Sequence, residues 1–160
     1  MYYCFRVGLY RQGLLHDLSK YSPTEFLVGC KYYQGTRSPN NAEREDTGVS
    51  LAWLHHKGRN KHHFEYWVDY SLDKEHVIMG AKMPRKYVAE MAMDRISASR
   101  NYMGDTYTDR APLDYFLKSK EALWFIHPQT KKELERLLTI LSRYGEERML
   151  WYVKNRYLKK

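Results

Sequence analysis

Apolar residues along this chain recur at spacings of three and four, and no stretch reads as a strand. That period is one face of a helix, so the chain must bury itself as helix against helix. From about Tyr2 to Lys20, Phe5, Leu9, Gly13 and His16 fall on one such face. A second helix is expected from Ser22-Pro23-Thr24-Glu25 to about Tyr33. Ser22 can cap it, Pro23 suits its first turn, and Glu25 completes a capping box. Gln34 to Thr47 is polar, with Gly35, Pro39 and two asparagines, and is expected as a loop, either a lid or a substrate-facing segment. A third helix, about Val49 to His56, leads into the turn Lys57-Gly58-Arg59-Asn60, and His62 to Tyr70 is expected as a loop with a short helix.

Pro84 opens the clearest helix, ending near Tyr102, with Tyr87, Met91, Asp94 and Ala98 on one side. Asp114 to Phe125 is a further helix. Thr130, with Glu133 three residues on, is expected to cap the last long one, which runs to about Tyr144. Gly145 interrupts it before a final helix from Glu146 to Tyr157. The expected fold is all-α.

The 160 residues make one domain, large enough to bury a core without disulfide or metal staples. Hydrophobic residues at 43% argue for a globule rather than disorder. No apolar run approaches the roughly 20 residues that cross a bilayer. Arg6 and Arg11 interrupt the opening apolar pattern, so no signal peptide is read. The protein is expected to be soluble and cytoplasmic, with no membrane partner and no signal that sets an oligomeric state. Cys4 and Cys30 form no CxxC pair and are read as ordinary thiols.

The net charge of +8 suits nucleic acids and small phosphorylated substrates alike. Much of the excess lies in Arg148, Lys154, Arg156, Lys159 and Lys160, which read as a solvated helix face. With no recognised nucleic-acid motif, nucleic acid is a disfavoured partner. The 15 tyrosines and four tryptophans read mainly as packing residues with polar tips, with Tyr66 and Trp67 the best stacking candidates.

Five of the seven histidines are His16, followed at once by Asp17, and the doublets His55-His56 and His62-His63. Imidazole is a favoured ligand for zinc, iron, manganese and nickel, and carboxylates widen the choice. Two doublets flanking a glycine-containing turn are far less expected by chance than one lone histidine. His16 lies on an apolar helix face, and Asp17 can reach the same cavity. Asp94 sits among Met91, Met93 and Ala98, where a buried carboxylate needs a cation or many donors. The bland alternative pairs Asp94 with Arg95 or Arg100.

The stretch Gly13-Leu14-Leu15-His16-Asp17-Leu18-Ser19-Lys20 resembles the signature dipeptide of the HD metal-dependent phosphohydrolase superfamily. Trp53 to Trp67, with both doublets, and Glu90-Met91-Ala92-Met93-Asp94-Arg95-Ile96-Ser97-Ala98-Ser99 resemble an uncharacterised bacterial and phage branch of it. Together these segments cover about residues 10 to 105. The resemblance implies five or more helices around one or two divalent ions (Mn, Mg, Fe, Zn, Ni or Co). It implies a single domain with its metal core at about 10–105 and further helices at about 112–160. His16 and Asp17 would be ligands and Asp94 the closing aspartate, with His55, His56, His62 and His63 the candidates to complete the set. His56 and His62 are the favoured members. HD proteins usually carry one more histidine on a preceding helix, and none precedes His16. The chain is expected either to be an N-terminally shortened form or to lack that ligand.

The expected reaction is hydrolysis of a small phosphorylated compound, such as a nucleotide. Asp17 would ligate or act as general base, and Lys20, Lys57, Arg59 and Lys61 would grip phosphate, with Lys20 and Arg59 preferred. Asn60 and Glu65 would steady the ligands. Ser38, Pro39 and Asn40 could approach the substrate. Two rivals remain at this point: a di-iron oxygenase-type enzyme, and a basic, non-enzymatic nucleic-acid-binding module.

Overall fold

The computed structural model describes residues 1–159. Its elements run α1 (Tyr2–Arg6), α2 (Tyr10–Leu15), a 3-10 turn (Leu18–Tyr21), α3 (Pro23–Tyr32), α4 (Pro39–Thr47) and α5 (Leu51–Lys57). A second 3-10 turn (Phe64–Trp67) leads to a hairpin, β1 (Val68–Tyr70) and β2 (Ile78–Gly80). Then come α6 (Arg85–Met103), α7 (Ala111–Ser119) and α8 (Pro128–Tyr152), which continues as one π-helical segment, Val153–Tyr157. Among the described residues no helix is long and apolar enough to cross a membrane.

The apolar core is built around α6. Val88, Ala89, Met91, Ala92, Met93 and Ile96 are buried against Leu134, Leu137, Leu138 and Leu141 of α8, with Phe116 of α7 and Cys4 of α1 closing the sides. No described residue from 10 to 63 belongs to this core. Helices α3, α4 and α5 pack on one another instead, as a separate layer. Ser50 caps α5, accepting from the Trp53 amide at 2.9 Å while its hydroxyl donates to the buried Glu43 of α4. The apolar block and the α3–α5 layer meet over a polar cluster.

Several expectations are corrected. The single helix over Tyr2–Lys20 is broken into three pieces, because Gly8 takes φ +84 and Asp17 takes φ +58. Both values are left-handed, and no right-handed helix passes through them. Gln34 to Thr47 is not all loop: Ser38-Pro39 starts α4, and Gly48 at φ +79 stops it. Its polarity reflects a helix with few buried positions, Ala42 and Glu43 among them. The all-α expectation holds except for the hairpin, which pairs Val68 with Gly80, Asp69 with Met79 and Tyr70 with Ile78. A side chain at Gly80 would collide with the Phe125 carbonyl and the His127 amide, so that strand lies directly on backbone. Helix α7 begins at Ala111 and ends at Ser119, both earlier than expected.

Both expected capping boxes fail, because Glu25, Thr130 and Glu133 are used elsewhere and the Ser22 hydroxyl finds no partner. Ser22 makes no capping bond and Glu25 turns inward. His127 caps α8, while the Thr130 hydroxyl accepts from the Met83 amide and Glu133 accepts from the Tyr157 hydroxyl. Gly145 does interrupt, with φ +80 and ψ 171 inside α8.

Candidate metal centre

Four imidazoles and two aspartates converge where α2, α5, the 60–63 turn and α6 meet. Asp17 lies at the middle. Its Oδ1 is 3.4 Å from both His56 Nε2 and His62 Nε2, and its Oδ2 accepts from Lys20 Nζ at 2.6 Å. His16 Nε2 stands 3.6 Å from Asp17 Oδ2 and 3.3 Å from Asp94 Oδ1. His56 Nε2 and His63 Nε2 are 2.9 Å apart. Two imidazole nitrogens that close need one proton, or one cation, between them.

Two sets of four side chains could hold an ion, one of Asp17, His56, His62 and His63 and one of His16, Asp17, His62 and Asp94. In each set one ligand atom per residue lies within 4.8 Å of the others. A carboxylate can serve two ions through its two oxygens, whereas one imidazole lone pair serves one. Asp17 can therefore belong to both sets at once and His62 to one. The buried Asp17 Oδ1 and His62 Nε2 have no hydrogen-bond partner. Leaving such atoms unmatched costs about 1–3 kcal/mol each, and a cation between them removes that cost. This donor set of imidazole and carboxylate fits a borderline or hard divalent ion.

Two glutamates aim the rings. Glu90 Oε1 accepts from His16 Nδ1 at 3.0 Å and lies 3.3 Å from His62 Nδ1. Glu25 Oε2 accepts from His56 Nδ1 at 2.7 Å. With Nδ1 bound outward, Nε2 of His16, His56 and His62 faces the centre, the arrangement that fixes tautomer and ring orientation in metal sites. Asn60 anchors the α5 side, donating from Nδ2 to Ser19 Oγ at 2.7 Å and to the His56 carbonyl at 2.8 Å. The floor is closed, His62 being 2% exposed and Glu90 6%, and the mouth is at Asp94, 27% exposed.

Burial pulls the His16 ring toward neutrality, but its bonds to Asp94 and Glu90 outweigh that and raise its pKa to about 9. Burial lowers the His63 pKa to about 2, with the neighbouring His62 adding to the effect. Burial also opposes ionisation of Asp17, yet the bond to His56 and the charges of His16 and Lys20 hold it well below the usual carboxylate range. Glu25, Glu90 and Asp94 are likewise lowered: burial resists, and the imidazoles prevail.

The residues singled out from the sequence separate cleanly here. His16, Asp17, His56, His62, His63 and Asp94 come together, and Lys20 joins them at the mouth. His55 stands outside both sets, with its Nδ1 2.6 Å from Glu25 Oε1. Arg59 is exposed and its guanidinium turns back to the His55 carbonyl at 3.4 Å, away from the cluster. Asp94 pairs with His16 and not with Arg100, which binds Glu146 at 2.6 Å. Ser38, Pro39 and Asn40 open α4. Glu25 and Glu90 were not singled out. Glu90, one turn before Asp94 inside an apolar helix, was readable as a second inward acid, whereas the capping pattern concealed Glu25.

One further charged pair lies beside the cluster. Arg95, the residue after Asp94, has Nε and Nη1 buried and unpartnered, and Glu65 Oε2 is in the same condition. The guanidinium carbon is 5.8 Å from the ring centres of both Tyr115 and Phe116. Such stacking is worth about 2 kcal/mol for a desolvated cation, less than the several kcal/mol that an unpaired buried ion costs.

Compared with known proteins, residues 2–140 match a family of unknown function, DUF5662. No curated protein and no solved structure matches the chain.

Proposed function

The chain belongs to DUF5662, a family of unknown function, and on the geometry of its polar cluster we propose that it is a divalent-metal-dependent phosphohydrolase acting on a small phosphorylated compound. The observation that carries this is the double set of ligands sharing Asp17, with two of its buried atoms unmatched. The chain order, His16-Asp17, then the two doublets, then Asp94, resembles the HD superfamily and supports the same reading.

His56, His63 and one oxygen of Asp17 would hold one ion, and His16, Asp94 and the other oxygen of Asp17 a second, with His62 completing either. A bound divalent ion lowers the pKa of water and neutralises charge on a phosphoryl oxygen. The protein's own groups do the rest. Glu25 and Glu90 keep the imidazoles aimed. Lys20, at the exposed edge of Asp17, presents a cation to an arriving phosphate. Asp17 is a poor proton acceptor, because both its oxygens face cations or imidazoles and its carboxylate is strongly held ionised. It acts as a ligand rather than as the general base.

Elemental analysis of the purified chain and of an Asp17→Asn, Asp94→Asn variant tests this. Asparagine keeps the left-handed backbone at position 17 and removes the charge. The native protein is expected to carry about one or two divalent ions, the variant none, and phosphatase activity should follow the metal. Equal metal content in both proteins would remove the site as drawn. A di-iron oxygenase has one observation in its favour, the capacity for two ions, and bound iron with redox-dependent colour would favour it.

A further inference from the structure

Among the described residues seven buried side-chain atoms lack a hydrogen-bond partner, and three of them belong to Arg95 and Glu65. Arg95 projects from α6 one residue beyond Asp94, so its backbone is fixed by the same helix that presents the mouth of the cluster. Its guanidinium lies near the rings of Tyr115 and Phe116, contacts that accept a cation on a ring face and leave N–H groups free to donate. The carboxylates within electrostatic reach are Asp94 and Glu65. Neither is bonded to it: Asp94 is engaged with His16. Glu65 has two other cations within reach, Lys57 and Arg44, so Arg95 is not its necessary counter-ion. A guanidinium held in place, with Nε and Nη1 buried and no anion bonded to it, is a receptor for one. Its planar array of donors suits the oxygens of a phosphoryl group.

We propose that Arg95 is a phosphate-binding residue beside the metal cluster, receiving oxygens of the substrate's phosphoryl group. This rests on the phosphohydrolase reading for the identity of the ligand, but not for the existence of the site. It also replaces Arg59 with Arg95 as the arginine that grips phosphate: the former is exposed and turned away, the latter has two buried nitrogens without a partner.

The test is titration of the full chain with inorganic phosphate, followed by calorimetry and by the phosphate-induced rise in Tm, with metal content measured on the same samples. Arg95→Met keeps much of the volume and removes the charge. It is expected to bind phosphate at least tenfold more weakly while carrying the native amount of metal. Arg95→Lys, which keeps the charge without the planar array, should fall between, and it carries the comparison if the methionine variant does not fold. Phosphate binding that is absent from the native chain, or unchanged in both variants, overturns the proposal and leaves Arg95 and Glu65 as a pair bridged by internal water. A native chain that carries no metal but binds phosphate through Arg95 leaves the proposal standing and removes the metal reading alone.

Discussion

Glu90 touches the Nδ1 atoms of two imidazoles on different segments, His16 at 3.0 Å and His62 at 3.3 Å, while being only 6% exposed itself. Glu90→Gln keeps the shape and loses an acceptor that can take both N–H groups. The variant should bind metal about 10–100-fold more weakly, the usual loss when such a supporting partner is removed. Metal-competition titration reads this directly, and native affinity in a folded variant would mean that the rings are oriented by other contacts. Most of this residue-level site was legible before the structure, because His16-Asp17, the doublets and an acid in an apolar helix are local patterns. Glu25 was not legible. Its spacing from Ser22 matches a capping box, and only the approach of α5, with His55 and His56, reveals what it binds.

At the level of elements, long apolar helices were read well and short or polar ones badly. Helix α6 runs within a residue of expectation at each end, since its packing and its intrinsic pattern agree. Helix α4 buries too little to leave an apolar period, and the apolar period over Tyr2–Lys20 does not reveal the left-handed backbone at Gly8 and Asp17 that breaks it. The core also explains why the layers should differ in stability. Helices α6, α7 and α8 share apolar contacts, whereas α3, α4 and α5 supply no residue to that core. What ties the second layer to α6 is the polar cluster. Removing metal with a chelator should therefore raise amide hydrogen exchange in residues 23–57 first, and leave the buried amides of α6 and α8 protected. Uniform loss of protection across both layers would show that they unfold as one unit.

For the whole molecule, the titrating groups make the metal-free protein most stable near pH 6.5. His16 has a folded pKa raised from 6.5 to about 9, so its stabilisation is complete below 6.5 and is lost as pH rises toward 9. His56, also raised, adds to that loss. His63 has the opposite sign: its folded pKa is about 2, so stability falls as the pH drops below 6.5, when only the unfolded chain takes up that proton. Below about 4.5 the lowered carboxylates Glu25, Glu90 and Asp94 add a second acid loss. Each uncompensated proton contributes a slope of about 1.4 kcal/mol per pH unit. Urea denaturation of the chelated protein across this range checks it, and stability still climbing from pH 6.5 toward 9 would contradict the assignment of His16. A divalent ion bound there would replace the His16 proton, so a loaded protein should keep its stability to higher pH and should release protons on loading at neutral pH.

The arrangement of an apolar block with a second layer fastened through charged and ring groups has a consequence for the lifetime of the chain. Ions held by His56, His63 and Asp17 and by His16, Asp94 and Asp17 would clasp segments far apart in sequence, and the clasp closes only when the ions are available. In a cell short of those ions, the α3–α5 layer becomes the part that proteases reach first. The block around α6 would survive as a trimmed remnant, so the amount of intact protein would follow the ion supply without any dedicated sensor.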